Sequence, residues 1–91
     1  MSNQIWNIEV RSAVYSELII GIEQLNGQFL AAKKKGFKNM NIQVIFLKTT
    51  TYGDETNVVM QDLLKRMVSS ITNNIKSMYP DIVITSDVIS R

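Results

Sequence analysis

The sequence predicts an α/β fold, with α+β as the alternative, in which a small three-stranded, mainly parallel sheet packs with two helices in the order β-α-β-α-β. Three observations predict it. A buried-strand pattern lies in mid-chain, a helical apolar stripe lies on each side of it, and β-forming residues flank both stripes. A chain of 91 residues is the length of a single domain, so we assign residues 1–91 to one domain.

The first predicted strand covers residues 5–11. Apolar and polar residues alternate there, with Trp6, Ile8 and Val10 on one side and Asn7, Glu9 and Arg11 on the other. A period of two is typical of a strand with one buried face.

The first predicted helix begins near Ala13, with Ser12 as its N-cap. Its apolar stripe recurs at steps of three and four and consists of Val14, Leu18, Ile22, Leu25 and Phe29. We expect it to end after the lysines of residues 33–35, with Gly36 in a left-handed conformation and Phe37 folding back as an apolar contact.

The central strand is predicted from residues 42–47, where five of six positions are apolar. Such a run is typical of a strand buried on both faces in the middle of a sheet. The loop Thr49–Asp54 follows it. In open α/β sheets, ligands usually bind at the carboxyl ends of the strands.

The second predicted helix begins with Asp54 as its cap and ends before Pro80. Its stripe is the most regular in the chain and consists of Met60, Leu64, Met67, Ile71, Ile75 and Met78. A third strand is predicted from Ile82 to about Thr85, with an extension to Ile89 as the alternative.

The composition excludes several kinds of chemistry. Histidine and cysteine are absent, which removes thiol nucleophiles, Ser-His-Asp triads and most zinc sites. No spacing of carboxylates selects an acid-base pair or a metal site. We therefore expect a protein that is not an enzyme, with no catalytic residues, no metal and no cofactor.

The net charge and the hydropathy of the sequence predict where in the cell the protein is located. The net charge of +2 is small, and no apolar run approaches the roughly 20 residues of a membrane-spanning helix. Residues 1–4 lack the basic flank of a secretory signal. We expect no membrane partner and a cytoplasmic, intracellular location.

The loop Thr49, Thr50, Thr51, Tyr52, Gly53 and Asp54 is a candidate ligand site, because hydroxyls and free amides at a helix start can hold an anion. Its run 51–54 is similar to a loop of flavodoxin-like domains, and that resemblance implies an aromatic side chain packed on a flavin. The hydroxyl-rich phosphate loop of that family has no counterpart in residues 9–13, which hold one hydroxyl and no glycine. A capped turn is the interpretation that the residue types favour.

Lys33, Lys34, Lys35 and Lys38 form a basic cluster that could contact nucleic-acid phosphates. Lysines are also typical of a helix C-terminus, where they complement the dipole. The cluster lacks arginine for bidentate contacts to bases, which favours the structural interpretation.

Self-association is the leading functional hypothesis. Three strands leave two open edges, and two wide apolar stripes exceed what one small sheet can cover. We expect a homo-oligomer, most simply a homodimer joined edge to edge or through helices, with Trp6 and Tyr15 as candidate interface anchors.

The predicted function is that of a small non-catalytic interaction protein that binds another macromolecule. The usage of Asn, Ile and Lys is typical of a viral, phage or mobile-element accessory protein. Nucleic-acid binding through residues 33–38 is one alternative. A nucleotide- or flavin-binding domain using residues 49–54 is the other.

Overall fold

Three parallel strands and three helices make up the fold in the computed structural model, which describes residues 4–48 and 53–91. In chain order the elements are β1 (Ile5–Ser12), α1 (Tyr15–Glu23), α2 (Leu25–Lys34), β2 (Asn39–Phe46), α3 (Asp54–Met78) and β3 (Val83–Ser90). The strand order is β1-β2-β3, with every pair parallel. The predicted α/β class, the parallel sheet and the central place of β2 are confirmed.

All the helices cover one face of the sheet. The register pairs Ile8 with Ile42 and Ile42 with Ser86, so even-numbered strand positions share one face and odd-numbered positions share the other. Apolar residues at even-numbered positions belong to the core or pack against it, together with helix residues such as Leu18 and Leu64. Apolar residues at odd-numbered positions lie outside that cluster. The sheet therefore has a covered face and an open face.

The central strand begins at Asn39, three residues before the predicted range 42–47, and the predicted burial of both faces holds at residues 44–46 but not at Gln43. Asn39, Asn41 and Gln43 point to the open face and are half-buried, whereas the side chains between them are buried beneath the helices. Burial of both faces is reached only at the carboxyl end, where the open-face side chain of Ile45 is 1% exposed.

The first predicted helix is divided into α1 and α2 at Gln24. The Gln24 amide donates to the carbonyls of both Ile20 and Gly21, so a 3₁₀-type bond to the third residue before it accompanies the α-helical bond to the fourth. Helical bonding resumes at once, since the amide of Gln28 donates to the Gln24 carbonyl. The two helices thus form one crossover between β1 and β2.

The predicted start of that crossover needs a correction. The helix begins at Tyr15 rather than near Ala13, and Val14 occupies the N-cap position without a side-chain cap bond. Ser12 is the last residue of β1, and its hydroxyl accepts from the Val14 amide (2.9 Å) and donates to the Glu17 carboxylate (2.6 Å). Ser12 therefore stabilises the turn before the helix.

The predicted end of the crossover is confirmed. Gly36 has φ +89°, its amide donates to the Lys33 carbonyl, and the Phe37 amide donates to the Ala32 carbonyl. These are the two hydrogen bonds of a Schellman motif. The ring of Phe37 packs against the core, so the chain enters β2 with a fixed direction.

The second predicted helix and the third strand are present with shifted ends. Gly53 occupies the N-cap position of α3 in place of Asp54, which is the first helical residue. The helix ends at Met78, two residues before Pro80, and the third strand takes its longer form, from Val83 to Ser90. Within the described residues, no helix combines the length and the apolar character that crossing a membrane requires.

Candidate interaction surface

The exposed apolar residues are concentrated on the helical layer. Nine large hydrophobic side chains are exposed among the described residues, and only Ile5 and Val83 belong to the sheet. The other seven lie on the helices or at the N-cap of α1, and they are Val14, Ile20, Leu30, Val58, Val59, Leu63 and Met78. Because isolated exposed apolar residues are common, it is their distribution that carries information.

The two crossovers run side by side and are tied together at both ends. Near their starts the Tyr15 hydroxyl donates to Asn57 Oδ1 at 2.9 Å. Near their ends the rings of Phe29 and Tyr79 lie 5.2 Å apart. The helical layer carries two depressions, one on α3 beside Met67 and Ile71 and one between α2 and the end of α3.

Apolar side chains of α2 and α3 lie at or beside these two depressions. Leu63, Met67 and Ile71 follow at steps of four along α3, so they share one side of that helix. Leu30 of α2 and Met78 of α3 line the second depression. We name as the outer helical surface these five side chains, Leu30, Leu63, Met67, Ile71 and Met78.

The open face of the sheet is largely polar. Across the three strands, Asn41 Nδ2 donates to Asn7 Oδ1 (3.4 Å), and the Thr85 hydroxyl donates to Asn41 Oδ1 (2.9 Å). The next row in register consists of Glu9, Gln43 and Asp87. Covering this face with protein would cost the desolvation of two carboxylates and several amides.

Two of the four clustered lysines have structural contacts. Lys33 Nζ lies 4.1 Å from the centroid of the Tyr79 ring. Lys35 Nζ lies 5.1 Å from the centroid of Trp6. These cation-π contacts, at the C-terminus of α2, fit lysines that stabilise the end of a helix.

A cavity of about 380 Å³ lies beside this cluster, at the amino ends of β2 and β3. Lys33 and Lys38 line it with Tyr79 and Asp81. The last carbonyls of α2 and α3 point to this end of the fold and carry partial negative charge. The positive field of the lysines is thus partly cancelled here, which weakens the case for an anion site.

The candidate ligand loop lies mostly outside the described residues. Thr49, Thr50, Thr51 and Tyr52 belong to that part of the chain, so the structure does not test the site predicted on them. Gly53 is described and has the extended backbone of an N-cap residue (φ −74°, ψ 163°). Across residues 4–48 and 53–91, no group of three or more Asp or Glu side chains is placed to hold a metal ion.

The two predicted interface anchors occupy different environments. Tyr15 is 4% exposed and its ring stacks on Phe46 at 4.2 Å, so little of its side chain is available to a partner. Trp6 is half-buried and packs edge-on against Phe37, with ring centroids 4.9 Å apart.

The excess width of the two apolar stripes predicts association through helices but does not say which side chains lie outside the core. Met67 and Met78 belong to the predicted stripe of the second helix, where their spacing favours a core position over an outward binding surface. The structure leaves Met67 half-buried and Met78 57% exposed. Comparisons of this chain with protein-family models, with curated proteins and with solved structures found no match.

Proposed function

We propose that this chain is a small non-catalytic interaction protein that forms a homodimer and acts by binding another macromolecule. The observation that carries the proposal is the uneven distribution of exposed apolar residues, with seven of nine on the helical layer. Burial of apolar surface contributes roughly 25 cal/mol per Å², so leaving several such side chains in water is unfavourable. A second copy offers the same apolar surface to cover them.

The described ion pair of α3 lies on its surface. The Asp62 carboxylate pairs with Arg66 on the surface of α3 (3.0 Å), a contact typical of a solvated helix. The helical layer is the exposed region that combines a large area with exposed apolar side chains, which is typical of a surface for contact with another chain.

The proposal is tested by measuring mass in solution. Sedimentation equilibrium from low to high micromolar concentration should give twice the 10.4 kDa of one chain. A mass of 10.4 kDa throughout that range would contradict the proposal. If the dimer forms, isolation of the native protein with its bound components would identify the macromolecular partner.

The two alternatives receive no specific support. For nucleic-acid binding, the cation-π contacts of Lys33 and Lys35 already explain half of the basic cluster. A binding titration with mixed DNA and RNA at two salt concentrations tests it, since phosphate contacts weaken steeply with salt. For flavin or nucleotide binding, a colourless protein with no thermal shift in a nucleotide panel would count against the loop Thr49–Asp54.

A further inference from the structure

We infer that the two copies join through the outer helical surface, so that the α1–α2 crossover and α3 of one chain pack on those of the other. The inference rests on the proposed dimer and names its interface. The inference differs from packing of the two open sheet faces and from pairing of strands at the outer edge of β3.

The first argument is area. With 25 residues, α3 is about 37 Å long, and two helices side by side are about 20 Å wide, so the outline of the whole helical layer, polar side chains included, is about 700 Å² per copy. Stable complexes bury roughly 800 Å² per partner. Three strands of eight residues present only about 14 by 26 Å, or about 370 Å². The helical face alone approaches the area that a stable dimer needs.

The second argument is the chemistry of what would be buried. Within the outer helical surface, Leu63 and Met78 are 42% and 57% exposed, and Met67 and Ile71 are half-buried. The polar residues that line the same depressions are Asn26, Arg66 and Ser70. Arg66, beside Met67, has 79% of its side chain exposed and already pairs with Asp62. An apolar centre with a charged rim is the arrangement typical of protein interfaces.

The open sheet face has the opposite character. Its central rows hold Asn7, Asn41 and Thr85, which bond to one another, followed by Glu9, Gln43 and Asp87. Burying the carboxylates of Glu9 and Asp87 against a second copy would require cationic partners, and Arg11 is the only cationic side chain at an odd-numbered position of the three strands. The apolar residues of this face lie at its ends rather than at its centre.

The outer edge of β3 is also a poor site for a second copy. Lys65 and Ser69 of α3 line a depression together with Ser86, Asp87 and Val88 of β3, so the helix flanks the edge strand. A strand pairing there would approach beside the Lys65 ammonium group. A lysine beside an edge strand is a common protection against strand pairing.

The test compares glutamate substitutions at exposed apolar positions. Leu63→Glu places a charge within the outer helical surface. Val58→Glu places the same charge on α3 at a side chain that is 66% exposed and that lies about 140° around the helix from Leu63. Val83→Glu places it on the open sheet face, at a side chain that is 57% exposed. All three positions are exposed in the single chain, so each variant should fold.

Sedimentation equilibrium then measures the dimer dissociation constant for each variant. We expect Leu63→Glu to raise it by about 30-fold or more, the effect of losing an interface hot spot, while Val58→Glu and Val83→Glu change it by less than about 3-fold. Met78→Glu is the second variant on the same surface and should behave like Leu63→Glu, which guards against a folding defect peculiar to one position. Circular dichroism verifies the helix content of every variant.

The outcomes separate the inference from the proposed function. One outcome is that the wild-type protein is dimeric, that Val83→Glu dissociates the dimer, and that Leu63→Glu and Met78→Glu do not. This outcome would overturn the helical interface but leave the proposed dimer standing. A wild-type protein that is monomeric at high micromolar concentration would overturn both.

Discussion

Replacing each of two helical glycines with alanine should change stability in opposite directions. Gly21 lies in α1, and a Cβ atom built on it would come within 2.5 Å of Val10 Cγ1 on the neighbouring strand. Gly27 lies in α2, and a Cβ atom there would meet no atom within 4 Å. The same substitution therefore tests packing at one site and backbone propensity at the other.

The magnitudes follow from two competing terms. Alanine is favoured over glycine in a helix by about 1 kcal/mol. Ordinary contact between carbon atoms is about 3.5–4.0 Å, so α1 and β1 would have to separate by about 1 Å at Gly21. Val10 is branched at Cβ and has little rotamer freedom to move aside. Overpacking of this kind costs about 1–3 kcal/mol.

We therefore expect Gly21→Ala to lower the free energy of unfolding by about 1 kcal/mol and Gly27→Ala to raise it by up to about 1 kcal/mol. Urea denaturation at one fixed protein concentration measures both, and a difference of about 2 kcal/mol would separate the midpoints by about 1 M or more. The double variant Val10→Ala/Gly21→Ala should recover part of the loss, because Val10 supplies the clash. Equal stabilisation by both glycine substitutions would refute the close packing of α1 on β1.

Three further substitutions test local contacts by the same urea measurement. Gly36→Ala should cost about 1–2 kcal/mol, because φ +89° is unfavourable for any residue with a Cβ atom, and an unchanged midpoint would argue against the Schellman motif. Tyr15→Phe should cost about 1 kcal/mol, because it removes the hydrogen bond to Asn57 but keeps the ring, and a neutral result would show that this bond adds nothing. Ser90→Ala should be neutral or stabilising by up to about 1 kcal/mol, because the Ser90 hydroxyl oxygen is buried without a hydrogen-bond partner among the described residues, and a clear loss would contradict that description.

The features that the sequence predicts well depend on local backbone chemistry. Gly36 and Phe37 mark the end of the first crossover because a left-handed glycine followed by an apolar residue has few other uses after a helix. Pro80 limits α3 for an equally local reason, since the residue before a proline is pushed out of helical geometry. Regular spacing also places Leu64 and Ile75 of the predicted stripe on the buried side of α3. The rest of that stripe lies at its margin, since Met67 and Ile71 are half-buried and Met78 is 57% exposed, whereas Val68 is buried.

The errors arise where tertiary contacts decide. Ser12 fits an N-cap by residue type, yet the strand extends through it and its hydroxyl serves the turn. The break at Gln24 has no marker in the sequence, because glutamine is an ordinary helix former. The one-sided burial at the start of β2 has a signal in the sequence, because Asn39, Asn41 and Gln43 alternate with apolar residues. The apolar run that ends the strand favours burial on both faces, and there the structure agrees.

The strand order explains why the helical layer is the surface left to be covered. When consecutive parallel strands are added in one direction, crossovers of the same hand place every helix on the same face of the sheet. The other face then meets solvent, and here its centre is polar, with Asn41 hydrogen-bonded on both sides. A three-stranded sheet is narrower than the two crossovers that it supports, so apolar residues on their outer sides, such as Leu63 and Met78, extend beyond the core. Additional apolar burial is therefore available on the helical side. For this reason Leu63→Glu tests association through the helical layer, and Val83→Glu tests association through the open face of the sheet.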